Sequence, residues 1–222
     1  MQLTKEIIVD AALTILNEYG LGDLTIRRLT RHLGTAAGAM YWHYPSKQAL
    51  LGAVADRILA PCTEFSPTGD WRADTEAIAE LLYSCLTAHR DGAEVVSAAL
   101  ATGTAKVRPE QLLADVLENA PEVSTGIKSA ADTASVLVYF ILGATVDQQT
   151  ASALTLNVDK GTVGKDKAAS TGPQANNDAG TGEGNENETA PEYLAEKAKE
   201  LGRQRIALGT ELFIAGIAAI AK

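Results

Sequence analysis

Residues 24–51 restrict how this chain can fold more than any other segment, because two short helical patterns meet there at Gly34. The first pattern has three apolar residues at helical spacing: Ile26, Leu29 and Leu33. A helix with this pattern packs those three residues onto a core. The second helix is predicted to begin at Thr35 or Ala36, after a glycine that permits a sharp turn, and to end before Pro45.

The second helix begins with small side chains and ends with aromatic ones. Its first residues are Ala36, Ala37, Gly38 and Ala39, and its last are Tyr41, Trp42, His43 and Tyr44. A helix that enters the major groove of DNA must be slim and must be held by a scaffold helix. The pattern therefore indicates a helix-turn-helix DNA-binding unit, although an ordinary helical hairpin with an aromatic end fits the same periodicity.

The distribution of charge favours DNA contact at this end of the chain. The protein has a formal net charge of -9, which opposes binding to phosphates. Residues 1–60, however, carry a net charge of +1, and the remainder carries -10. Arg27, Arg28 and Arg31 are predicted to point outward from the first helix of the unit. An acidic body repels DNA from the other faces of the molecule and so disfavours indiscriminate binding.

Helical periodicity extends through most of the 222 residues, and no alternating strand pattern of useful length interrupts it. We therefore predict an all-α protein with a three-helix DNA-binding domain at 1–60 and a larger helical domain at 61–222. Helices are expected between Thr4 and Gly20, between Ser46 and Pro61, at 71–89, 93–101, 109–119 and 129–154, and after Pro191. Residues 157–190 are rich in glycine, asparagine and threonine, so a flexible loop is expected there.

Cys62 and Cys85 lack the spacing of metal ligands and are expected to be buried and reduced. Neither a signal peptide nor a membrane-spanning segment is predicted, so we expect a cytoplasmic protein without a membrane partner. No metal and no cofactor is expected. The sequence has no paired acid and base, nucleophile motif or phosphate-binding loop that would indicate an enzyme.

Several motifs carry a family resemblance. They are Leu24-Thr25-Ile26-Arg27, Leu33-Gly34, Tyr41-Trp42-His43-Tyr44, Lys47, His89-Arg90-Asp91-Gly92-Ala93, Phe140-Ile141-Leu142-Gly143 and Gly209-Thr210-Glu211-Leu212-Phe213. Residues 4–60 resemble the DNA-binding domain of the TetR family of bacterial transcriptional repressors, and the remainder resembles its tetracycline-repressor type of C-terminal domain. The resemblance implies a ligand-binding and dimerisation domain at 61–222. It also implies a homodimer that binds a palindromic double-stranded DNA operator and leaves it when a small-molecule effector binds.

The resemblance implies contacts with the phosphates of DNA at both ends of the helix-turn-helix unit. Four residues match these contacts: Thr25, Tyr41, His43 and Lys47. Their side chains can all donate a hydrogen bond to a phosphate oxygen. Trp42 and Tyr44, in contrast, fit packing at the end of the second helix about as well as they fit DNA contact.

The resemblance also implies contacts with bases. Arg27 matches such a contact and can bind guanine through two hydrogen bonds. The base-facing positions Ala37 and Gly38 provide no side-chain donor. Specificity is therefore expected to depend on Arg27, Thr35, contacts with thymine methyl groups and DNA shape, and the operator is expected to differ from that of the tetracycline repressor.

Alignment with the effector site of the family gives ten expected lining residues: Thr63, Ile78, Leu82, Val96, Ala99, Leu113, Leu117, Val138, Leu142 and Gln148. Val96 stands where the tetracycline repressor has a histidine that ligates magnesium. Asp147 falls where an acidic residue assists that ion through water, but one carboxylate without its partner makes a poor Mg²⁺ site. We therefore expect a small hydrophobic or aromatic effector other than magnesium-tetracycline.

Glycine recurs every seven residues in the last helix, at Gly202, Gly209 and Gly216. Small residues permit helices to approach closely. Together with the resemblance, this repeat predicts that helix 129–154 and the last helix pack against their copies in a four-helix interface. A purely intramolecular core is the alternative.

The apolar second helix leaves another functional class open, a helical protein that sequesters its ligand and has weak or lost sequence-specific DNA binding. Substitution of Arg27 and Lys47 separates the two classes, because only a repressor loses operator affinity and salt dependence.

Overall fold

The computed structural model describes residues 3–120, 129–162 and 190–220, and the fold within these ranges is all-α, as predicted. The α-helices are α1 Lys5–Tyr19, α2 Ile26–Leu33, α3 Ala37–His43, α4 Lys47–Ile58, α5 Trp71–Thr87, α6 Gly92–Ala101, α7 Pro109–Glu118, α8 Ala130–Thr162 and α9 Ala190–Ile220. Two short 3-10 helices, Leu21–Asp23 and Ala60–Glu64, follow α1 and α4.

Side-chain caps fix where the N-terminal helices begin. The hydroxyl of Thr4 accepts from the backbone N–H of Ile7 at 3.3 Å, and the hydroxyl of Ser46 accepts from that of Ala49 at 3.1 Å. Each cap pairs a first-turn N–H that has no partner within the helix. Gly34 ends α2 in the left-handed conformation, with φ 61° and ψ 34°. The predicted caps and the predicted turn are confirmed.

Two boundaries near the DNA-binding unit differ from the prediction. Ala36 is extended, at φ -85° and ψ 150°, so α3 begins at Ala37, and it continues through the aromatic residues to His43. The helix expected to end at Pro61 ends at Ile58, and the chain then forms a 3-10 helix that includes the proline. Proline fits there because the first turn of a helix does not need its N–H.

The predicted start of the loop at residue 157 is wrong, because α8 continues to Thr162. Residues 163–189 lie outside the described residues. The last helix begins at Ala190, so Pro191 lies in its first turn, where proline is tolerated. Composition alone did not distinguish the end of a long helix from the segment that follows it.

The C-terminal domain is built around α8, which packs against α5, α6, α7 and α9. Its core is formed by apolar residues from all of these helices, among them Ile78, Leu82, Val96, Leu113, Leu137 and Ile206. The buried Tyr83 on α5 contacts both α9 and α8, since its hydroxyl donates to the backbone oxygen of Lys199 at 2.6 Å and lies 3.1 Å from the side-chain oxygen of Gln148. These contacts hold α9 against α5 and α8.

The regularly spaced glycines of α9 serve packing within the chain at two of their three positions. A Cβ atom at Gly209 would collide with the ring of Phe140 on α8, and one at Gly202 would collide with the hydroxyl of Tyr83. Gly216 faces open space. The repeat therefore explains close approach between helices of one chain, and the case for a dimer rests on other residues.

Helix α8 is apolar enough between residues 130 and 153 to cross a membrane by length and composition, and it is the one helix of the described part with this property. About 33% of the relevant window is buried in the chain. Core helices of soluble proteins pass the same test, so the composition of α8 is weak evidence for a membrane.

Cys62 and Cys85 are both buried free cysteines, as predicted. A hydrogen bond with Cys85 and burial raise the pKa of the Cys62 thiol, and the same hydrogen bond lowers the pKa of Cys85. The two thiols therefore lie close together, between the 3-10 helix Ala60–Glu64 and α5.

Candidate DNA-binding surface, effector cavity and domain contacts

Helix α3 exposes one face to solvent and buries the other. Met40 is fully buried and Tyr44 is nearly so, and these residues lie one turn apart on the inner face. Ala37, Gly38 and Tyr41 are exposed. This arrangement gives α3 the slim outer surface that the major groove requires.

The structure separates the two aromatic residues whose role the sequence left open. Tyr44 packs in the core, whereas Trp42 is 91% exposed. Trp42 lies opposite Met40 and Tyr44 on the helix, a placement that their four-residue spacing could have indicated. An exposed indole supplies an apolar surface and an N–H donor, so Trp42 joins the candidate DNA contacts.

The arginines of α2 have different roles. Arg28 donates to Asp23 at 2.7 Å and lies over the ring of Tyr19 at 4.2 Å, so it anchors α2 to the preceding turn. Arg27 and Lys47 are exposed and form no ion pair with any residue that the structure describes. They are therefore available to phosphates or bases.

The eight expected DNA contacts all lie on α2, α3, the turn between them and the start of α4. Six are exposed: Thr25, Arg27, Ala37, Gly38, Tyr41 and Lys47. Thr35 and His43 are partly buried. The hydroxyl of Thr25 accepts from the N–H of Arg28 at 3.1 Å, and its own proton stays available for a phosphate oxygen.

A cavity of about 450 Å³ opens between α6, the start of α7 and α8. Leu100 comes from α6, Arg108 and Glu110 from the start of α7, and Val138, Leu142 and Asp147 from α8. Its volume falls within the range typical of pockets for drug-sized ligands.

The ten expected effector-lining residues are not brought together around this cavity. Val138 and Leu142 line it. Six others are buried in the core of the domain: Ile78, Leu82, Val96, Ala99, Leu113 and Leu117. Gln148 is buried, with its side-chain oxygen 3.1 Å from the hydroxyl of Tyr83. Thr63 is exposed and donates to the backbone oxygen of Ala60.

Within the part of the chain that the structure describes, side-chain contacts join the DNA-binding domain to the C-terminal domain at two places. In the first, the Asp91 carboxylate accepts from the N–H of Leu21 at 2.7 Å. Asn17 on α1 accepts from the N–H of Arg90 at 3.2 Å and lies 3.3 Å from the ring nitrogen Nδ1 of His89. Burial lowers the pKa of His89, so the neutral imidazole is favoured at this contact.

The second contact lies between α4 and the segment after α6. The Asp56 carboxylate accepts from the N–H groups of Lys106 at 2.6 Å and Val107 at 3.0 Å. Gly52 lies so close to the backbone of Thr104 that a Cβ atom would collide with it. Because Arg108 follows this segment directly, the wall of the cavity is connected to α4.

No group of three or more histidine, cysteine, aspartate or glutamate residues in the described ranges is arranged to hold a metal ion.

Two family models match the sequence. Residues 8–54 match "Bacterial regulatory proteins, tetR family", and residues 65–174 match "Tetracyclin repressor-like, C-terminal domain". The boundary between the two matched segments falls close to the end of α4, near the domain contacts.

Individual proteins are similar over larger parts of the chain. Tetracycline repressor protein class A from transposon 1721 of Escherichia coli is 33% identical over 152 residues, which cover 67% of this chain and 68% of that protein. The crystal structure of Mycobacterium smegmatis BioQ gives a TM-score of 0.68 at 31% identity over 98% of this chain and 99% of that one. BioQ crystallised with its double-stranded DNA operator gives a TM-score of 0.67 at 30% identity, with the same two coverages.

Proposed function

Because this chain belongs to the TetR family of bacterial regulatory proteins, a family of DNA-binding repressors with ligand-binding domains, we propose that it is a homodimeric repressor released from a palindromic operator by an effector. The single observation that carries the proposal is the exposed outer face of α3, which lies in the chain between Arg27 and Lys47, two exposed cations that form no ion pair with any described residue. The similarity to BioQ, which was crystallised with operator DNA, supports the same role for this face. Such a repressor works in the cytoplasm.

The dimer is supported by apolar side chains that the single chain leaves exposed on α8 and α9. Val136, Tyr139, Leu208 and Leu212 are all more than half exposed. Large exposed apolar surfaces mark interaction sites in soluble proteins. A four-helix interface of α8 and α9 with their copies would cover these residues, and it would explain why so apolar a helix as α8 is only one-third buried in the monomer.

The effector response is supported by the connection between the cavity and α4. An effector that binds more tightly to one arrangement of α6, α7 and α8 favours that arrangement. Asp56 then transmits the change to α4, because it holds the 106–107 backbone that leads to Arg108. Reorientation of α4 changes the distance between the two α3 helices of the dimer and so weakens the fit to successive major grooves.

The proposed function is tested by gel shift with DNA that flanks the gene for this protein, at several salt concentrations. Arg27→Ala should cost about 1–3 kcal/mol of binding free energy for the operator. Lys47→Ala should weaken binding to all sequences and reduce the salt slope by about one unit. Arg203→Ala is the control, because Arg203 pairs with Glu80 and Glu200 in the C-terminal domain. A ligand-sequestering protein predicts that none of the three substitutions changes DNA binding.

A further inference from the structure

The walls of the cavity between α6, α7 and α8 differ in chemistry. Leu100, Val138 and Leu142 form an apolar part. Arg108, Glu110 and Asp147 bring charge to the same space. A site of this kind suits a ligand with an apolar body and at least one polar group.

The charged part has one cation, and that cation already has a partner. The Nε group of Arg108 donates to Glu110 Oε1, and the two side chains form an ion pair. An anionic ligand would have to compete with Glu110 for Arg108. Arg108 therefore does little to favour the binding of an anionic ligand in the cavity.

The second carboxylate oxygen of Glu110 has no such partner. Glu110 Oε2 is buried and accepts no hydrogen bond, and it is the one side-chain nitrogen or oxygen with this property among the described residues. A buried charged oxygen without a donor is unfavourable, and a ligand that brings a donor removes that penalty. The unpaired Glu110 Oε2 therefore indicates that the ligand supplies a hydrogen-bond donor.

A second carboxylate and an open space lie on α8. Asp147 lines the cavity one turn after Gly143, and both residues are exposed in the single chain. No atom of the described residues lies within 4 Å of the position that a Cβ atom of Gly143 would occupy. With Arg108 paired to Glu110, the cavity keeps an excess of negative charge from Asp147. A cation is favoured over an anion in such a site.

We propose that the effector is a compound with a protonated amine on an aromatic or similarly apolar body. The ammonium donates to Glu110 Oε2 and faces Asp147, and the apolar body packs on Leu100, Val138 and Leu142. The description of this ligand as an effector rests on the proposed function, but its binding to the cavity does not require DNA.

The test is calorimetric titration of the full chain with three probes of the same ring system: 1-naphthylmethylamine, 1-naphthalenemethanol and 1-naphthoic acid. The amine should bind about tenfold more tightly than the alcohol, because hydrogen bonds to charged groups are about twice as strong as neutral ones. The acid should show no binding. Equal binding of the three probes, preference for the acid, or no binding of the amine at millimolar concentration would each overturn the proposal.

Variants locate the site. Glu110→Gln and Asp147→Asn should each weaken amine binding by about tenfold and leave alcohol binding unchanged. Gly143→Leu should abolish binding of both probes because it fills the open space. Glu118→Gln is the matched control, since Glu118 is an exposed acid at the other end of α7 and outside the cavity. Amine binding that survives Asp147→Asn and Gly143→Leu would refute the site even if Glu110→Gln failed to fold.

Gel shift of the operator without a probe is measured in parallel. Loss of amine binding with intact operator binding rejects the effector class alone. Amine binding without operator binding rejects the proposed repressor and retains the site.

Discussion

Asp74 and Trp42 show the reverse of the usual relation between polarity and burial. Asp74 is 2% exposed, whereas Trp42 is almost fully exposed. The Asp74 carboxylate accepts from the N–H and hydroxyl of Thr68 at 2.9 and 2.8 Å, and from the N–H of Gly69 at 3.1 Å. Burial raises the pKa of Asp74, but these hydrogen bonds lower it by more, so the net pKa lies below its ordinary value. Asp74 thus fixes the loop before α5.

Asp74→Asn should destabilise the fold by about 1–3 kcal/mol at neutral pH, because the amide nitrogen faces donors instead of accepting from them. The native pKa is lowered, so the stabilisation by Asp74 is complete above the unfolded-state pKa and is lost as the pH falls through the native value. Urea unfolding from pH 7 to pH 3 should show wild type and variant converging in acid. Asp70→Asn is the control, since asparagine caps a helix as well as aspartate does. An unchanged difference at all pH values would contradict this account.

Trp42 provides its own spectroscopic test, because the chain has only two tryptophans and the other, Trp71, is buried. Iodide should quench Trp42 strongly and Trp71 weakly, so Trp42→Phe should remove most of the quenchable fluorescence. Operator DNA should protect Trp42 in the wild type, because the DNA covers α3. Quenching that DNA leaves unchanged would place Trp42 outside the interface.

Among the helices and loops that the structure describes, hydrogen bonds at two places join the domains. The loop at His89, Arg90 and Asp91 binds the end of α1, and the segment after α6 binds α4 through Asp56. Asp91 adopts a left-handed conformation, with φ 54°, that aspartate tolerates better than most residues. The contact through Asp56 is the one next to the cavity, so it is the more direct route to α4.

Asp56→Ala should release this second contact without unfolding either domain. The N–H groups of Lys106 and Val107 lose their acceptor, so their amide hydrogens should exchange roughly tenfold faster. Hydrogen exchange with mass spectrometry measures this effect, and peptides from α1 serve as the internal control. Operator affinity in the presence of an effector should then respond less than in the wild type. Unchanged exchange at 104–108 would show that Asp56 does not hold the segment.

Local chemistry made much of the fold predictable. The helix starts at Thr4 and Ser46 and the helix end at Gly34 depend on hydrogen bonds and backbone conformation within a few residues. The structure confirms these three boundaries. The position of Trp42 depends on which neighbours reach the core, and the cavity depends on packing between α6, α7 and α8, which no single segment contains. The family resemblance places the expected effector residues by their position in the sequence and carries no information on how the helices pack around the cavity. Only Val138 and Leu142 lie on the cavity wall.

At the scale of the whole molecule, surface and charge have complementary distributions. The DNA-binding domain has a slight positive charge, the remainder is strongly acidic, and the exposed apolar residues are concentrated on α8 and α9. An acidic body directs DNA to one end of the molecule. Dimerisation through α8 and α9 would leave both α3 helices accessible.

Leu212→Glu should convert the proposed dimer to a monomer. Leu212 is 66% exposed in the single chain, so a charge there is tolerated by the monomer but is costly in an apolar interface. Sedimentation should give twice the mass of one chain for the wild type and a single chain for the variant, with helical circular dichroism unchanged. Leu212→Ala should weaken the dimer to a smaller extent. A variant that stays dimeric would place the interface elsewhere.

In the proposed repressor, the two α3 helices of one dimer occupy successive major grooves of one operator. Hydroxyl-radical footprinting on the DNA that the gel shift selects measures this most directly. We expect two protected regions on the same face of the duplex, related by symmetry and centred about 34–36 Å apart. A single protected region, or two regions on opposite faces, would contradict it.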